Sequence, residues 1–447
     1  MEKVGFFKKN KSMIAFIGIE IVALVAFNFG NIGYIFGYAA AVMAVLSFIT
    51  IVSLEEHKKN FLYLIPAVLI LLMVSIIAGF GNFSKGFTTA SNIATFVAIP
   101  SFFVLGYSLR RIDEIKAQTL MLIIGCAVAF LTLFGLFSTL IQYGFFYSLI
   151  YEVKDTPFYY YDGMTYDVTK EMSWLVGFEF KEVQIEYGSL FAFISALYLP
   201  GIIFIDKNKD KKSFRLALAI GIIGLVTLLL LPNLKALIVF VIVGDFALIY
   251  KFESDKPVVM KIIGFAFVGV VGLGTLLFLL CLIYKASGAS SSFLDKLFVN
   301  NGLLRNSSDM LDYYYTKDKD MSKFFGIVPT KGNNEIVRLS LGLFEFQIIK
   351  ELGVFGSLIL LAFILGFGYF LYRYIRFGND NVFTKVTLIM LLLGFVVYES
   401  FFNVVSPLVH TDAYEAFTRN PLFYISLFLM GYVFMQGFNN KKEGEKK

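Results

Sequence analysis

An all-α, polytopic integral membrane protein with about twelve transmembrane helices is the fold class that the sequence predicts. Apolar residues make up 58% of the 447 residues and charged residues only 16%, whereas soluble domains carry roughly 25% charged residues. The mean hydropathy is +0.75. A water-soluble chain of this composition lacks the polar side chains to cover its surface, but a bilayer requires an apolar exterior.

Apolar runs about as long as one bilayer span recur along the whole chain, which we treat as a single transmembrane domain (1–447). One span takes about 20 residues. Pro232 divides the apolar stretch 216–250, because proline removes a helical hydrogen bond, and this break predicts a tight helical hairpin. The twelve predicted spans lie at 12–29, 32–53, 61–80, 92–109, 119–142, 188–205, 216–231, 236–250, 262–284, 352–374, 382–402 and 421–437.

Lysines and arginines determine the predicted orientation. The short segments on one side of the predicted bilayer hold more than half of them, as cytoplasmic loops do. We therefore expect a protein of the cell membrane with both termini in the cytoplasm. The formal net charge of +6 is spread over these short clusters, so it does not indicate nucleic-acid binding.

No cofactor or metal site is expected. The two cysteines, Cys126 and Cys281, both fall in apolar runs, and the chain has only two histidines. Together they indicate neither a disulfide framework nor a structural metal site. A glycine-rich phosphate loop is also missing from the sequence, which argues against an ATP-driven pump.

Two long loops, at about 143–187 and 285–351, lie on the predicted extracytoplasmic side. The first contains Trp174, and its eight acidic residues outnumber three lysines. The second is longer and mixed in charge. All predicted cytoplasmic segments are short by comparison, and loops held by a rigid scaffold commonly carry function. The function is therefore expected at the outer face.

Basic side chains near the outer face are candidates for binding a diphosphate. Nucleotides are cytoplasmic, so an enzyme working outside would use a lipid-linked donor, whose diphosphate is recognised by arginine and lysine. Lys235 lies at the tip of the predicted hairpin, and Arg305 and Arg338 are the arginines of the second loop. The alternatives are a lysine that snorkels to water and two solvated surface arginines.

Glu345 is the main candidate for a general base, with Asp309 as another acid of the same loop. It lies in the helix-like stretch RLSLGLFEFQIIKELG between two phenylalanines, so we expect partial desolvation to raise its pKa toward a useful range. The alternative is a solvent-facing residue of an interfacial helix. Tyr313 and Trp174 suit the apolar faces of sugars, although aromatic residues also form the interfacial belt of membrane proteins.

The chain resembles the O-antigen polymerase and ligase superfamily, in particular the Wzy-type repeat-unit polymerases of Gram-positive bacteria. The layout is similar over nearly the whole chain, with a large outer loop before the last helices. LLLLPNLKALIVFVIV resembles that family's hairpin, with Lys235 at the basic position. LLRNSSDMLDYYY, KFFGIVPTKG and LFEFQIIKELGVFGSLILLAFILG resemble the loop and its approach helix, with Gly353 and Gly356 at the start of the next span. The large loop lacks the histidine of the ligase branch, which favours a polymerase.

This resemblance implies a metal-independent glycosyltransferase of the all-helical GT-C type. It would polymerise undecaprenyl-diphosphate-linked oligosaccharide repeat units into capsular or exopolysaccharide, with inversion. Lys235 and Arg305 would neutralise the departing diphosphate, and Glu345 would orient or deprotonate the acceptor hydroxyl. Besides the lipid-linked substrate, a flippase and a chain-length regulator are the partners it implies. Arg338, Asp309, Tyr313 and Trp174 would bind the substrate.

A lipid-linked oligosaccharide flippase is the main alternative, because such transporters have a similar length and number of spans. A flippase needs charged residues that line a central cavity through several helices, with short loops on both faces. Here the charge within the spans is sparse and the outer loops are long. This pattern favours the enzyme.

Overall fold

The computed structural model describes the part of the chain that follows the first two predicted spans, with gaps. The runs at 12–29 and 32–53 lie outside it, so the total of twelve spans remains a prediction. The described residues are 58–83, 99–107, 117–143, 159–161, 164–166, 179–180, 183–184, 187–230, 234–253, 257–287, 292–298, 304, 308, 344–398 and 421–439.

The described chain is almost entirely helical. Residues 99–107 are helical, and together with ten of the labelled helices they coincide with the ten other predicted spans; α8 and α9 are additional. The helices are α1 (Lys58–Phe83), α2 (Ala117–Tyr143), α3 (Tyr187–Ala196), α4 (Tyr198–Ile202), α5 (Lys211–Leu230), α6 (Leu234–Glu253), α7 (Pro257–Ser287), α8 (Ser292–Phe298), α9 (Phe344–Gln347), α10 (Ile349–Phe377), α11 (Val382–Val397) and α12 (Pro421–Asn439).

Two short antiparallel hairpins in the first predicted loop are the exception to the helical fold. Strand β1 (Tyr159–Tyr161) pairs with β2 (Met164–Tyr166). Strand β3 (Glu179–Phe180) pairs with β4 (Val183–Gln184). The all-α prediction did not include them, because strands of two or three residues are too short to produce an alternating hydrophobic pattern.

Several helices have the length and composition of membrane spans. Four helical stretches of the described residues are long and apolar enough to cross a bilayer: Ala117–Phe137, Lys211–Leu230, Phe265–Lys285 and Leu352–Phe377. Shorter apolar helices cover Leu64–Ile77, Phe191–Ile202, Val382–Val397 and Phe423–Phe434. The prediction of an all-α membrane protein is therefore confirmed at this level.

The outer surface of the bundle is apolar. On α1, Ile65, Leu69, Met73 and Ile76 are exposed, while residues between them face the core. This spacing of three to four residues places the exposed side chains on one face of the helix. Contiguous apolar surface of this kind is a liability in water, but it is the surface that lipid tails require.

Helix α11 is the central element. Of its 16 residues, 14 are buried, and a helix that is buried on all sides lies inside a bundle rather than at its surface. It packs against α2, α4, α6, α7 and α12. Asn381 caps its beginning, since the Asn381 side chain accepts a hydrogen bond from the backbone N–H of Thr384 at 3.0 Å.

The predicted hairpin at Pro232 forms two helices, α5 and α6, which end at Leu230 and begin again at Leu234. The predicted break is therefore confirmed. The two helices do not form a tight pair, however: α5 packs mainly on α3, α2 and α4, and α6 mainly on α11, with smaller contacts to α7, α3 and α4. Both helices contact α3 and α4, but their main neighbours differ, and a local turn signal does not encode this.

Glycines allow backbones to approach closely at two helix crossings. A Cβ atom at Gly224 of α5 would collide with the backbone of Ala192 and Ala196 in α3. A Cβ atom at Gly431 of α12 would collide with the Phe103 carbonyl in the helix at 99–107. Small residues at such crossings are typical of helix packing in membranes, where van der Waals contact is the main attraction.

Polar side chains tie several helix ends together on one face. Gln118, at the start of α2, donates to the Asp210 carboxylate at 2.8 Å and accepts from Asn381 at 2.5 Å. On the same loop as Asn381, the Asp380 carboxylate accepts hydrogen bonds from the hydroxyls of Tyr374 and Tyr432, both at 2.8 Å. The structure thus brings together three segments that the sequence assigns to the same side of the membrane.

Candidate functional site

The candidate site is built on helices α7 and α10, which pack in an antiparallel arrangement. The rings of Phe265 and Tyr372 are stacked with centroids 5.4 Å apart. Further along α7, Phe267 meets Phe367 at 6.0 Å. Increasing residue numbers on α7 therefore pair with decreasing numbers on α10.

This register also shows which residue of α7 lies level with Gly353, near the start of α10. It continues at Gly272, where an added Cβ would lie 3.8 Å from Leu365. At the same spacing, Gly353 falls about level with Tyr284, close to the end of the Phe265–Lys285 span that the sequence places outside.

Gly353 marks a sharp bend in the chain. Its backbone angles, φ 62° and ψ −173°, break the helical conformation inside α10. A side chain is strained at such a positive φ, whereas glycine tolerates it. The bend is tight enough that a Cβ at Gly356 would lie 2.8 Å from the Leu352 Cβ. We call the residues before the bend, 344–352, the approach segment.

The approach segment enters the bundle beside α7. The ring of Phe346 meets that of Phe278 edge-on at 5.2 Å. Its neighbour Glu345 lies so close to α7 that a Cβ at Gly274 would collide with the Glu345 carboxylate. Gly274 has no side chain, and the Glu345 carboxyl group occupies the space beside it on the surface of α7. We call this position the Gly274 seat.

Glu345 lies deep in the bundle. Gly274 is about ten residues before Tyr284 along α7, which corresponds to about 15 Å of helix. It falls near the middle of the Phe265–Lys285 span. The approach segment therefore runs from the middle of α7 toward the outer end of α7, where Gly353 lies. After Gly353, the rest of α10 runs back in the opposite direction.

The Glu345 carboxyl group is fully buried, with 0% exposure. No other described side chain or backbone group forms a hydrogen bond with either of its oxygens. Burial raises the pKa of this carboxyl, and its own backbone N–H offsets the effect only in part. The alternative of a solvent-facing residue is thus excluded, and the expected desolvation is confirmed.

Glu345 is the one buried carboxyl or basic side chain in the part of the interior that the structure describes. The remaining buried polar groups are serine, threonine and tyrosine hydroxyls and the Cys281 thiol. Thr275, next to the Gly274 seat, donates its hydroxyl hydrogen bond to the Val271 carbonyl at 2.7 Å. Asp245 of α6, which falls in the predicted span 236–250, is exposed, so its charge is not held inside the bundle.

The other predicted site residues have no side chain within the described part of the structure. Lys235 is the second residue of α6, and its side chain lies outside the description. Leu304 and Ser308 are helical and buried, on either side of the stretch that begins with Arg305. The predicted residues beyond the described part of the chain are Arg305, Arg338, Asp309, Tyr313 and Trp174.

Gly274 is the functional position that sequence reasoning missed. The run GVVGLGT, which contains Gly269, Gly272 and Gly274, marked a place where a helix can accept a close neighbour. It did not indicate which glycine or which neighbour. Gly269 has open space beside it and Gly272 makes only an ordinary contact.

Across the described residues, no group of three or more His, Cys, Asp or Glu side chains is arranged to hold a metal ion. Comparison with known proteins gave no match to a family model, to a curated protein or to a solved structure.

Proposed function

We propose that this protein is a glycosyltransferase that polymerises lipid-linked oligosaccharide repeat units at the outer face of the cytoplasmic membrane. The donor is a growing glycan on undecaprenyl diphosphate, and the product is a capsular or extracellular polysaccharide. The observation that carries the proposal is Glu345: a buried carboxyl at the end of the largest predicted outer loop, in a stretch that resembles the approach helix of repeat-unit polymerases.

Glu345 has the properties of a general base for a sugar hydroxyl. A carboxylate withdrawn from water holds a proton more strongly than an exposed one, and proton transfer is most efficient when the pKa of the base approaches the working pH. Burial raises the pKa of this carboxyl, so Glu345 is protonated while it is buried and acts as a base only in its ionised form. The reaction requires the ionised carboxylate to reach the acceptor.

In the proposed reaction, an acceptor hydroxyl oxygen attacks the anomeric carbon of the donor glycan. The bond from that carbon to the diphosphate oxygen breaks, undecaprenyl diphosphate leaves, and the hydroxyl proton passes to Glu345. One displacement inverts the anomeric centre. Lys235 and Arg305 stabilise the negative charge that develops on the leaving group. The substrate is bound by Arg338, Asp309, Tyr313 and Trp174.

Transport of lipid-linked sugars is the competing function. A flippase would be expected to line its path with charged side chains from several helices. Within the described helices, Glu345 alone is a buried charged residue type, and the central helix α11 buries only apolar residues, one glycine and two threonines. This favours polymerisation, with a separate flippase and a chain-length regulator as partners.

The test is deletion of the gene in its host, followed by complementation. Glu345→Gln is expected to reduce polymer synthesis by about 10²–10⁴-fold, the usual contribution of a general base. Arg305→Ala and Lys235→Ala are expected to cost about 10²–10³-fold each. Lys209→Ala is the matched control, because its side chain is 86% exposed in a predicted cytoplasmic loop.

Glycan size is read on gels and by mass spectrometry, with membrane insertion of each variant checked by immunoblot. Single repeat units in the deletion strain, long chains with Lys209→Ala and none with the other variants support the polymerase. Accumulation of lipid-linked units on the cytoplasmic leaflet alone would instead identify a flippase.

A further inference from the structure

The approach segment joins a sharp bend to an unusual buried group. Its outer end is Gly353, whose positive φ only glycine adopts without strain. Its inner end places Glu345 on Gly274, a seat without a side chain. Hinges in moving segments are a few residues that absorb changes of backbone angles, and glycine is the residue with the widest range of such angles.

A buried carboxyl without a partner is costly to keep. An unsatisfied buried polar group costs about 1–3 kcal/mol, and an ionised one costs far more. Ionisable groups within membranes are accordingly rare and mark functional sites. In the seated position, Glu345 is therefore expected to be neutral and to hold a proton.

Among the described residues of the elements packed against the approach segment, no charged side chain lies beside the Glu345 carboxyl. On α7, the ionisable residues nearest to Gly274 are Cys281, Tyr284 and Lys285, which lie two to three turns nearer the outer end. The Lys285 ammonium lies over the Tyr284 ring at 5.6 Å, and Tyr284 donates to Asp295.

On α10, the charged side chains closest to the bend belong to Lys350 and Glu351, which lie outside the description. Ser357, beyond the bend, is buried and its hydroxyl has no hydrogen-bond partner among the described residues. The surroundings of Glu345 that the structure describes are therefore apolar or uncharged.

We propose that Glu345 is a proton-binding site inside the helix bundle, and that it exchanges its proton with the outer face when the approach segment turns about Gly353 and leaves Gly274. Seated on Gly274, the carboxyl holds the proton. When the approach segment has moved away from Gly274, the carboxyl releases its proton to water and is ionised. Only the use of this ionised form as the base for an acceptor hydroxyl rests on the proposed function.

Carbodiimides test both positions on the full-length protein in membranes. Dicyclohexylcarbodiimide is lipid-soluble and modifies protonated carboxyls in apolar sites, whereas a water-soluble carbodiimide modifies exposed ones. We expect the first to label Glu345, less so as the pH rises. We expect the second to label Glu345 several-fold more slowly than the exposed Asp206, both quantified by mass spectrometry of peptides.

A side chain introduced at Gly274 should expose the Glu345 carboxyl to water. A Cβ at Gly274 collides with Glu345, so Gly274→Ala is expected to raise labelling by the water-soluble reagent several-fold. Gly272→Ala is the matched control, because its Cβ would make only an ordinary contact at 3.8 Å. Equal labelling of Glu345 in both variants would overturn the proposal, as would labelling of wild-type Glu345 as fast as Asp206.

A disulfide provides a second measurement that does not depend on how Gly274→Ala folds. Phe278→Cys and Phe346→Cys, in a chain with Cys126 and Cys281 changed to serine, would fasten the approach segment to α7. Oxidation is expected to abolish the slow labelling of Glu345 by the water-soluble reagent, and reduction to restore it. If the oxidised protein is labelled as before, the segment does not move as proposed.

These measurements need no glycan, so the two proposals fail separately. If deletion of the gene leaves polysaccharide synthesis intact while the labelling pattern holds, the proton site stands and the polymerase assignment is lost. If polymer synthesis requires the protein but Gly274→Ala does not change the labelling of Glu345, the polymerase assignment stands and the proton site is lost.

Discussion

The Glu345 carboxylate occupies the space that a side chain at Gly274 would fill. This relationship joins the end of a long predicted loop to the middle of a predicted span. It removes the carboxylate from water without providing a hydrogen-bond partner in the described part of the chain. The consequences for stability and pH dependence can be measured on the purified protein.

The first prediction concerns pH. The folded protein keeps the Glu345 proton, because burial raises the pKa of this carboxyl, whereas the unfolded chain releases it above about pH 4.3. Unfolding therefore releases a proton, and stability falls as the pH rises from that value toward the folded pKa. The slope from this group approaches about 1.4 kcal/mol per pH unit.

Glu345→Gln is expected to remove this slope, as measured by thermal unfolding in detergent between about pH 5 and pH 8. Asp206→Asn is the control. The pKa of Asp206 is lowered, chiefly by the backbone N–H of Asn208, so its contribution is lost only as the pH falls. A wild-type slope that persists in Glu345→Gln would contradict the prediction.

The second prediction concerns the bend. Gly353→Ala is expected to destabilise the protein by about 1–3 kcal/mol, since its combination of φ 62° and ψ −173° is one that essentially only glycine adopts. Gly366→Ala, on the same helix, is the control, because nothing lies within 4 Å of its added Cβ. There the loss of glycine should be neutral or stabilise by up to about 1 kcal/mol. Equal melting temperatures of the two variants would show that the bend is not strained.

The third prediction concerns the crossing of α3 and α5. Gly224→Ala drives a methyl group into the backbone of Ala192 and Ala196, and overpacking of this kind costs about 1–3 kcal/mol. Gly244→Ala should be tolerated, because its Cβ would lie 3.6 Å from Pro200. Melting curves followed by size-exclusion chromatography distinguish them. Destabilisation by Gly244→Ala alone would refute the packing described for α5.

The fourth prediction concerns the polar face of the bundle. Asn381→Ala removes the cap of the central helix and the hydrogen bond to Gln118, and loss of a cap costs about 1 kcal/mol. Asn208→Ala, in the exposed loop between α4 and α5, should change stability by less than about 0.5 kcal/mol. Thermal unfolding at constant pH checks both. Similar effects would mean that Asn381 does not secure α11.

Local features of the sequence determined the membrane class and the approximate position of the described spans. Each apolar run carries its own signal, because a span must be predominantly apolar whichever helices it packs against. Pro232 likewise predicted the break between α5 and α6 from its own chemistry. The two phenylalanines beside Glu345 were enough to predict desolvation of that carboxyl.

Only the tertiary structure decided which helices meet and where Glu345 resides. Interiors formed between apolar helices offer many equivalent contacts, so the sequence did not foretell that α5 packs mainly on α3 and α6 mainly on α11. Of the three glycines in GVVGLGT, Gly274 alone receives the carboxylate, because the bend at Gly353 and the register of α7 against α10 bring the approach segment to that height. Such a contact depends on distant parts of the chain and therefore leaves no local pattern.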